Sequence, residues 1–126
     1  MRMPPKLPLA LVAIFCIDGC AISDNKAATT GYGAAAYAAG TGDWRLRWQA
    51  SDAQRARQRV LADCAAPDCR VVLEFGPGQC GTLALNRQGE FGVGLGDTPI
   101  AAETVALAEC RRTGSDCRVA PAECNR

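Results

Sequence analysis

Six cysteines carry the clearest chemistry in this sequence of 126 residues, and all six fall in its second half. Cys64 and Cys110 each end an alanine-rich stretch, Val60-Leu61-Ala62-Asp63-Cys64 and Ala106-Leu107-Ala108-Glu109-Cys110. Cys69 and Cys117 each open a short extended motif, and Cys80 and Cys124 close the two halves. An even number of cysteines in a small exported domain reads as a disulfide framework in an oxidising compartment. The alternative is thiolate zinc, which needs closely paired cysteines or histidine. There is no Cys-x-x-Cys and no histidine, so neither a metal nor a cofactor is expected. Many pairings are open to six cysteines. The spacing favours Cys64–Cys69 and Cys110–Cys117, each pinning a helix end to the next strand. Cys80–Cys124 is then expected to cross between the halves, because three cysteines per half cannot all pair within it.

The absence of histidine also removes Ser-His-Asp and Cys-His nucleophilic catalysis. A carboxylate pair remains as an enzymatic option, with Asp63, Glu74, Glu109 and Glu123 as candidates. Asp63 and Glu109 hold equivalent places in the two halves, whereas an acid and a base need different environments. No catalytic residue is therefore expected. Gly92-Val93-Gly94-Leu95-Gly96 has the wrong spacing for a dinucleotide loop. It reads instead as a strand with one flat face, suited to close packing.

The candidate binding residues are Arg45, Arg47, Arg55 and Arg59. They lie in Trp44-Arg45-Leu46-Arg47-Trp48, where arginines alternate with apolar residues, and in the arginine-rich segment after it. Arginine and tryptophan are enriched in protein interfaces, and the second half has no such cluster. Trp44 and Trp48 share the strand face opposite the arginines, so both are expected in the core. The chain carries 14 basic and 13 acidic residues; without Arg2, Lys6 and Asp18 of the leader, 12 of each remain. Such neutrality does not suit binding to nucleic acid.

Residues 1–19 read as a secretory signal. A basic start is followed by an apolar run of 11 residues, Leu7 to Ile17, too short to span a bilayer. Ile17-Asp18-Gly19-Cys20 resembles a lipobox, making Cys20 the expected lipidation site; ordinary cleavage nearby and an uncleaved anchor are the alternatives. Residues 20–31 are small and polar, a flexible tether. The expected location is the periplasm, anchored through Cys20 to the outer membrane, the lipid being the only contact with the bilayer.

These features need elements to position them. Tyr32–Ala38 and Trp44–Trp48 read as a hairpin of strands. Ser51 or Asp52 caps a helix ending near Cys64, and Cys69–Phe75 is a strand. The second half repeats the order: strands at Gly81–Asn86 and Glu90–Leu95, a helix capped by Thr98 with Pro99 at its first position, and a strand at Cys117–Ala122. Ala53, Ala56, Val60, Leu61 and Cys64 match Pro99, Ala102, Ala106, Leu107 and Cys110 at one constant offset. The expected fold is α+β: a single domain over residues 32–126, internally duplicated as ββαβ units at 32–79 and 80–126. Its two helices are expected on one face of an approximately six-stranded, mainly antiparallel, disulfide-stabilised sheet.

The helices ending Ala-Leu-x-x-Cys or its variant, with Cys69-Arg70-Val71-Val72, Cys80-Gly81-Thr82-Leu83-Ala84 and Phe91-Gly92-Val93-Gly94, form a pattern over Tyr32 to Cys124. It resembles the bacterial family called domain of unknown function 4189. That family carries tryptophans in the glycine-alternating strand, where this chain has Phe91 and Leu95, so the role of those aromatics does not carry over. The resemblance implies a fold and an exported setting, and no reaction. The functional expectation is a non-enzymatic protein-binding module whose partner is a secreted toxin or envelope enzyme, as for an immunity protein or inhibitor. The alternative is an envelope accessory that binds peptidoglycan or another glycan.

Overall fold

The computed structural model describes residues 31–126; the leader, Cys20 and the tether up to residue 30 lie outside them. Two helices and seven strands follow in the order β1 (Tyr32–Ala38), β2 (Asp43–Ala50), α1 (Ala53–Asp63), β3 (Arg70–Phe75), β4 (Cys80–Leu85), β5 (Phe91–Gly96), α2 (Pro99–Thr113), β6 (Arg118–Val119) and β7 (Glu123–Cys124). Both helices start at capping side chains: an Asp52 carboxylate oxygen accepts from the Arg55 N–H and Thr98 Oγ1 from the Ala101 N–H. The second helix runs one turn past Cys110, to Thr113.

The strands do not form one sheet. β2-β1-β3 make one antiparallel sheet, and β5-β4-β6 another, in which β7 also pairs with β4. In each, the earliest strand lies in the middle. The apolar pattern explains the division. β1 is buried on both faces: Ala34, Ala36 and Ala38 pack with Ala56 and Val60 of α1, while Ala35 joins Leu46, Leu73, Phe75 and Leu83 in a separate cluster. A single sheet with both helices on one face would leave that second cluster in water. Stacking the sheets buries it between them. The helices therefore lie on opposite outer faces, α1 on the first sheet and α2 against Ala84 of the second, correcting the expectation of a shared face. The Phe75 ring fills the layer between the sheets. It lies where side chains at Gly33 of β1 and Gly81 of β4 would otherwise stand.

The last expected strand, Cys117–Ala122, is broken. β6 pairs with Ala84 and Leu85, β7 with Cys80 and Gly81. Pro121, which has no N–H to give a ladder, falls between them. The gap is bridged by the Thr82 hydroxyl, which donates to the Ala120 carbonyl (2.6 Å), and by the Ala122 N–H, which donates to Glu103 of α2 (2.9 Å).

Disulfides join Cys64 to Cys69, Cys110 to Cys117 and Cys80 to Cys124. These are the pairs favoured from spacing, with one correction. Cys80 opens β4 and stands opposite Cys124 of β7 in the same sheet, so that bond does not cross between the halves. Counting Cys80 with the second half gives two cysteines and four, and each half pairs internally. The sheets are held together by apolar packing, by the Tyr37 hydroxyl donating to the Gly89 carbonyl (2.9 Å), and by the Tyr37 ring against Phe91.

Candidate functional site

A groove of about 430 Å3 runs along the outer edge of β2, walled on the far side by Pro121 and Glu123. Its near wall is the strand from Trp44 to Trp48. Trp44 packs against the layer between the sheets, but Trp48 is 37 % exposed. The expected burial of both tryptophans therefore holds for one. Trp48 lies two residues beyond the buried Leu46, at the end of the groove wall. A rigid indole at the lip of a groove, with arginines beside it, is the composition of an interface hot spot.

The four candidate arginines do not gather into one open cationic face. The Arg45 guanidinium donates to Asp43 (2.6 Å) and to the Trp44 carbonyl (2.7 Å). Arg47 donates to the Leu46 carbonyl (3.0 Å) and pairs with Asp63 at the end of α1. These two carbonyls lie on the edge strand, so the arginines occupy acceptors that an added strand would otherwise use. Arg55 lies 3.8 Å from its helix cap Asp52, and Arg57 pairs with Glu74 at 2.9 Å. Arg59 makes no ion pair among the described residues. Arg55, Arg59 and Asp63 follow at intervals of one helical turn, so two arginines lead down to the carboxylate that pairs with Arg47.

Of the carboxylates weighed for catalysis, Asp63, Glu74 and Glu109 are each committed to an arginine. Glu123 faces the groove without a second carboxylate lining it. Asp43 has the most constrained acid chemistry. One carboxylate oxygen accepts from the Ala65 N–H (3.0 Å) and the other from Arg45, and the Ala65 bond and then Arg45 hold its pKa below 3.8 against some desolvation. Asp43, Cys64 and Cys69 come within 4.8 Å of one another. The two sulfurs are bonded to each other, however, so neither is the thiolate a metal would need. Burial pushes the Tyr37 phenol up from its usual value of 10.0. A second, more polar hollow of about 540 Å3 lies between the β4–β5 turn and the α2–β6 loop, with Arg87, Asp116 and Arg118 in its lining.

Sequence reasoning missed Asn125. It is 2 % exposed; its amide nitrogen donates to the carbonyls of Phe75 (3.3 Å) and Gly76 (3.0 Å), and its oxygen accepts from the Gln49 N–H (2.8 Å). Gln49 has positive φ, the twist that ends the regular part of β2, and Asn125 holds it. This residue fixes the end of the groove beyond Trp48. Nothing local in the last residues marks it. The far wall was equally hidden, although Pro121 gave a usable sign of a strand break.

Among the described residues, no helix is long and apolar enough to cross a membrane. No curated protein and no solved structure matches the chain. A family model described as "Domain of unknown function (DUF4189)" matches residues 32–124, the whole span that carries both sheets, both helices and all three disulfides. The chain belongs to the DUF4189 family.

Proposed function

We propose that this protein is a non-enzymatic binding module of the cell envelope, exported and tethered through a lipid on Cys20, that engages a protein partner through the groove along β2. The observation that carries this reading is Trp48, held 37 % exposed on a strand whose neighbours Arg45 and Arg47 are fixed by their own hydrogen bonds. Presenting a large apolar side chain from a hydrogen-bonded strand leaves mainly its own rotamers to be ordered when a partner binds. The partner class is a secreted toxin or envelope enzyme, which makes an immunity protein or inhibitor the concrete form. The scaffold is two copies of one ββαβ unit: the constant offset between the helices and the central place of β1 and β4 support that history.

The test is protection. The full chain is co-expressed in the periplasm with a toxin encoded beside its gene. It should rescue growth, and Trp48→Ala should lower affinity at least about tenfold, as for a hot-spot residue, with the thermal midpoint nearly unchanged. Unaltered affinity for Trp48→Ala would reject the groove. The same exposed indole also suits a sugar ring, so sedimentation with purified cell-wall sacculi is the companion measurement. Trp48-dependent sedimentation without protection would move the assignment to a glycan-binding accessory.

A further inference from the structure

The opposite flank of the sandwich ends in β5, and its free edge is built differently from that of β2. Within the β4–β5 ladder the Asn86 N–H donates to the Glu90 carbonyl, and on β4's other side the Leu83 carbonyl accepts from Ala120. Antiparallel alternation then directs Gly92, Gly94 and Gly96 towards β4 and the backbone groups of Phe91, Val93 and Leu95 outwards. Among the described residues nothing hydrogen-bonds those outward groups. The strand has no proline and no charged residue, and Leu95 is exposed. The β2 edge has arginines on its carbonyls, the β3 edge carries the Arg57–Glu74 pair, and the β6–β7 edge is broken at Pro121. Of the four edges among the described residues, only β5 lacks such protection.

We propose that β5 receives an extended segment of another polypeptide as an added strand, on a surface separate from the groove along β2. The occupant's chemistry follows from what surrounds the edge. A second copy of this chain does not fit. Side chains at Gly92 and Gly94 would overlap the backbone of α2, so that helix lies directly over β5. Pairing two β5 strands about 4.8 Å apart would bring two such helices far closer than the roughly 8–10 Å that packed helices need. A bare extended segment has no such layer. Its alternate side chains on the inner side meet Phe91, Val93 and Leu95, and so are apolar; those on the outer side lie beside α2 and are small or polar. Asp97, just after β5, makes no ion pair among the described residues. The segment is therefore basic at the end near Asp97.

The probes are short capped peptides alternating valine and threonine, one with an N-terminal lysine and one with a C-terminal lysine, titrated against the full chain by fluorescence anisotropy. Antiparallel addition favours the first peptide and parallel addition the second. Either preference, together with loss of binding when alternate peptide nitrogens are methylated, supports the proposal. Asp97→Lys should weaken the favoured peptide about threefold and remove the preference between the two. Val93→Pro removes one outward N–H without touching the bonds to β4 and should abolish binding. Leu95→Lys, at an exposed position, is the check should the proline variant fail to fold. Several results would overturn the proposal: no binding of either peptide, binding indifferent to methylation, or a reversible dimer abolished by Val93→Pro. Peptide binding that appears only after the segment preceding Gly31 is clipped off would also overturn it, assigning the edge to the chain's own N-terminal segment. Trp48→Ala should leave peptide binding unchanged, so the two surfaces fail or stand separately.

Discussion

Asp43 shows how a single side chain can join parts that the sequence keeps apart. It ends the first hairpin turn, yet its carboxylate holds the Ala65 N–H beyond α1 and the guanidinium of Arg45. Both interactions favour the ionised form, so the folded pKa lies below the ordinary 3.8. The unfolded chain then takes up its proton first as pH falls. The stabilisation is fully present above 3.8 and is lost as pH drops through the depressed folded value. Urea denaturation across that window should show stability falling with pH in the native protein, and Asp43→Asn should flatten that part of the slope. An unchanged slope would mean the contacts are too solvated to matter. The arginines were legible as an unusual cluster, but their partners were not. Asp63 is 16 positions from Arg47 in sequence and meets it only because α1 folds back over β2. Asn125 was invisible for the same reason: its partners at Gln49, Phe75 and Gly76 lie at the ends of strands distant in sequence.

The elements were more legible than their arrangement. Strict alternation marked β2, caps marked both helices, and glycine at every second position marked a strand with one bare face. The structure shows what that face is for. A Cβ on Gly94 would overlap the Ala102 carbonyl oxygen, so α2 rests on the β5 backbone itself. Gly94→Ala should force the helix outward and cost about 1–3 kcal/mol. Gly76→Ala is the contrast, because a Cβ there meets only the Gln79 side chain at 3.6 Å and its φ is not positive; it should stay within about 0.5 kcal/mol. Equal losses in urea denaturation would show that contact with α2 does not set the cost. What the pattern could not tell was which sheet each strand joins. Period-two alternation says that a strand has two faces, and for β3 and β4 it does not say whether the covering layer is a helix or another sheet. The small residues of β1, apolar on both faces, were the one sign that the layers exceed two.

Across the whole molecule, the disulfides are distributed unequally between the halves. Cys80–Cys124 closes a loop with a sequence separation of 44 that contains β5, α2 and β6, and Cys110–Cys117 lies within it. The first half has only Cys64–Cys69, with a separation of 5. In the chain-entropy account, the longer loop should stabilise by about 2 kcal/mol more than the shorter. Replacing Cys80 and Cys124 by alanine should therefore cost about that much more than replacing Cys64 and Cys69. Because no disulfide ties the sheets to each other, amide exchange should divide along the same line. β4 and β5 should exchange slowest, and β2 and α1, whose cover is mostly alanine, should open first. That order would leave the wall of the groove, Trp44 to Trp48, on the more mobile half and the edge of β5 on the more rigid one. A partner in the groove should accordingly slow exchange in α1 as well as β2, since both belong to the half it would hold in place. Protection confined to β2 would mean that the first half does not move as a unit.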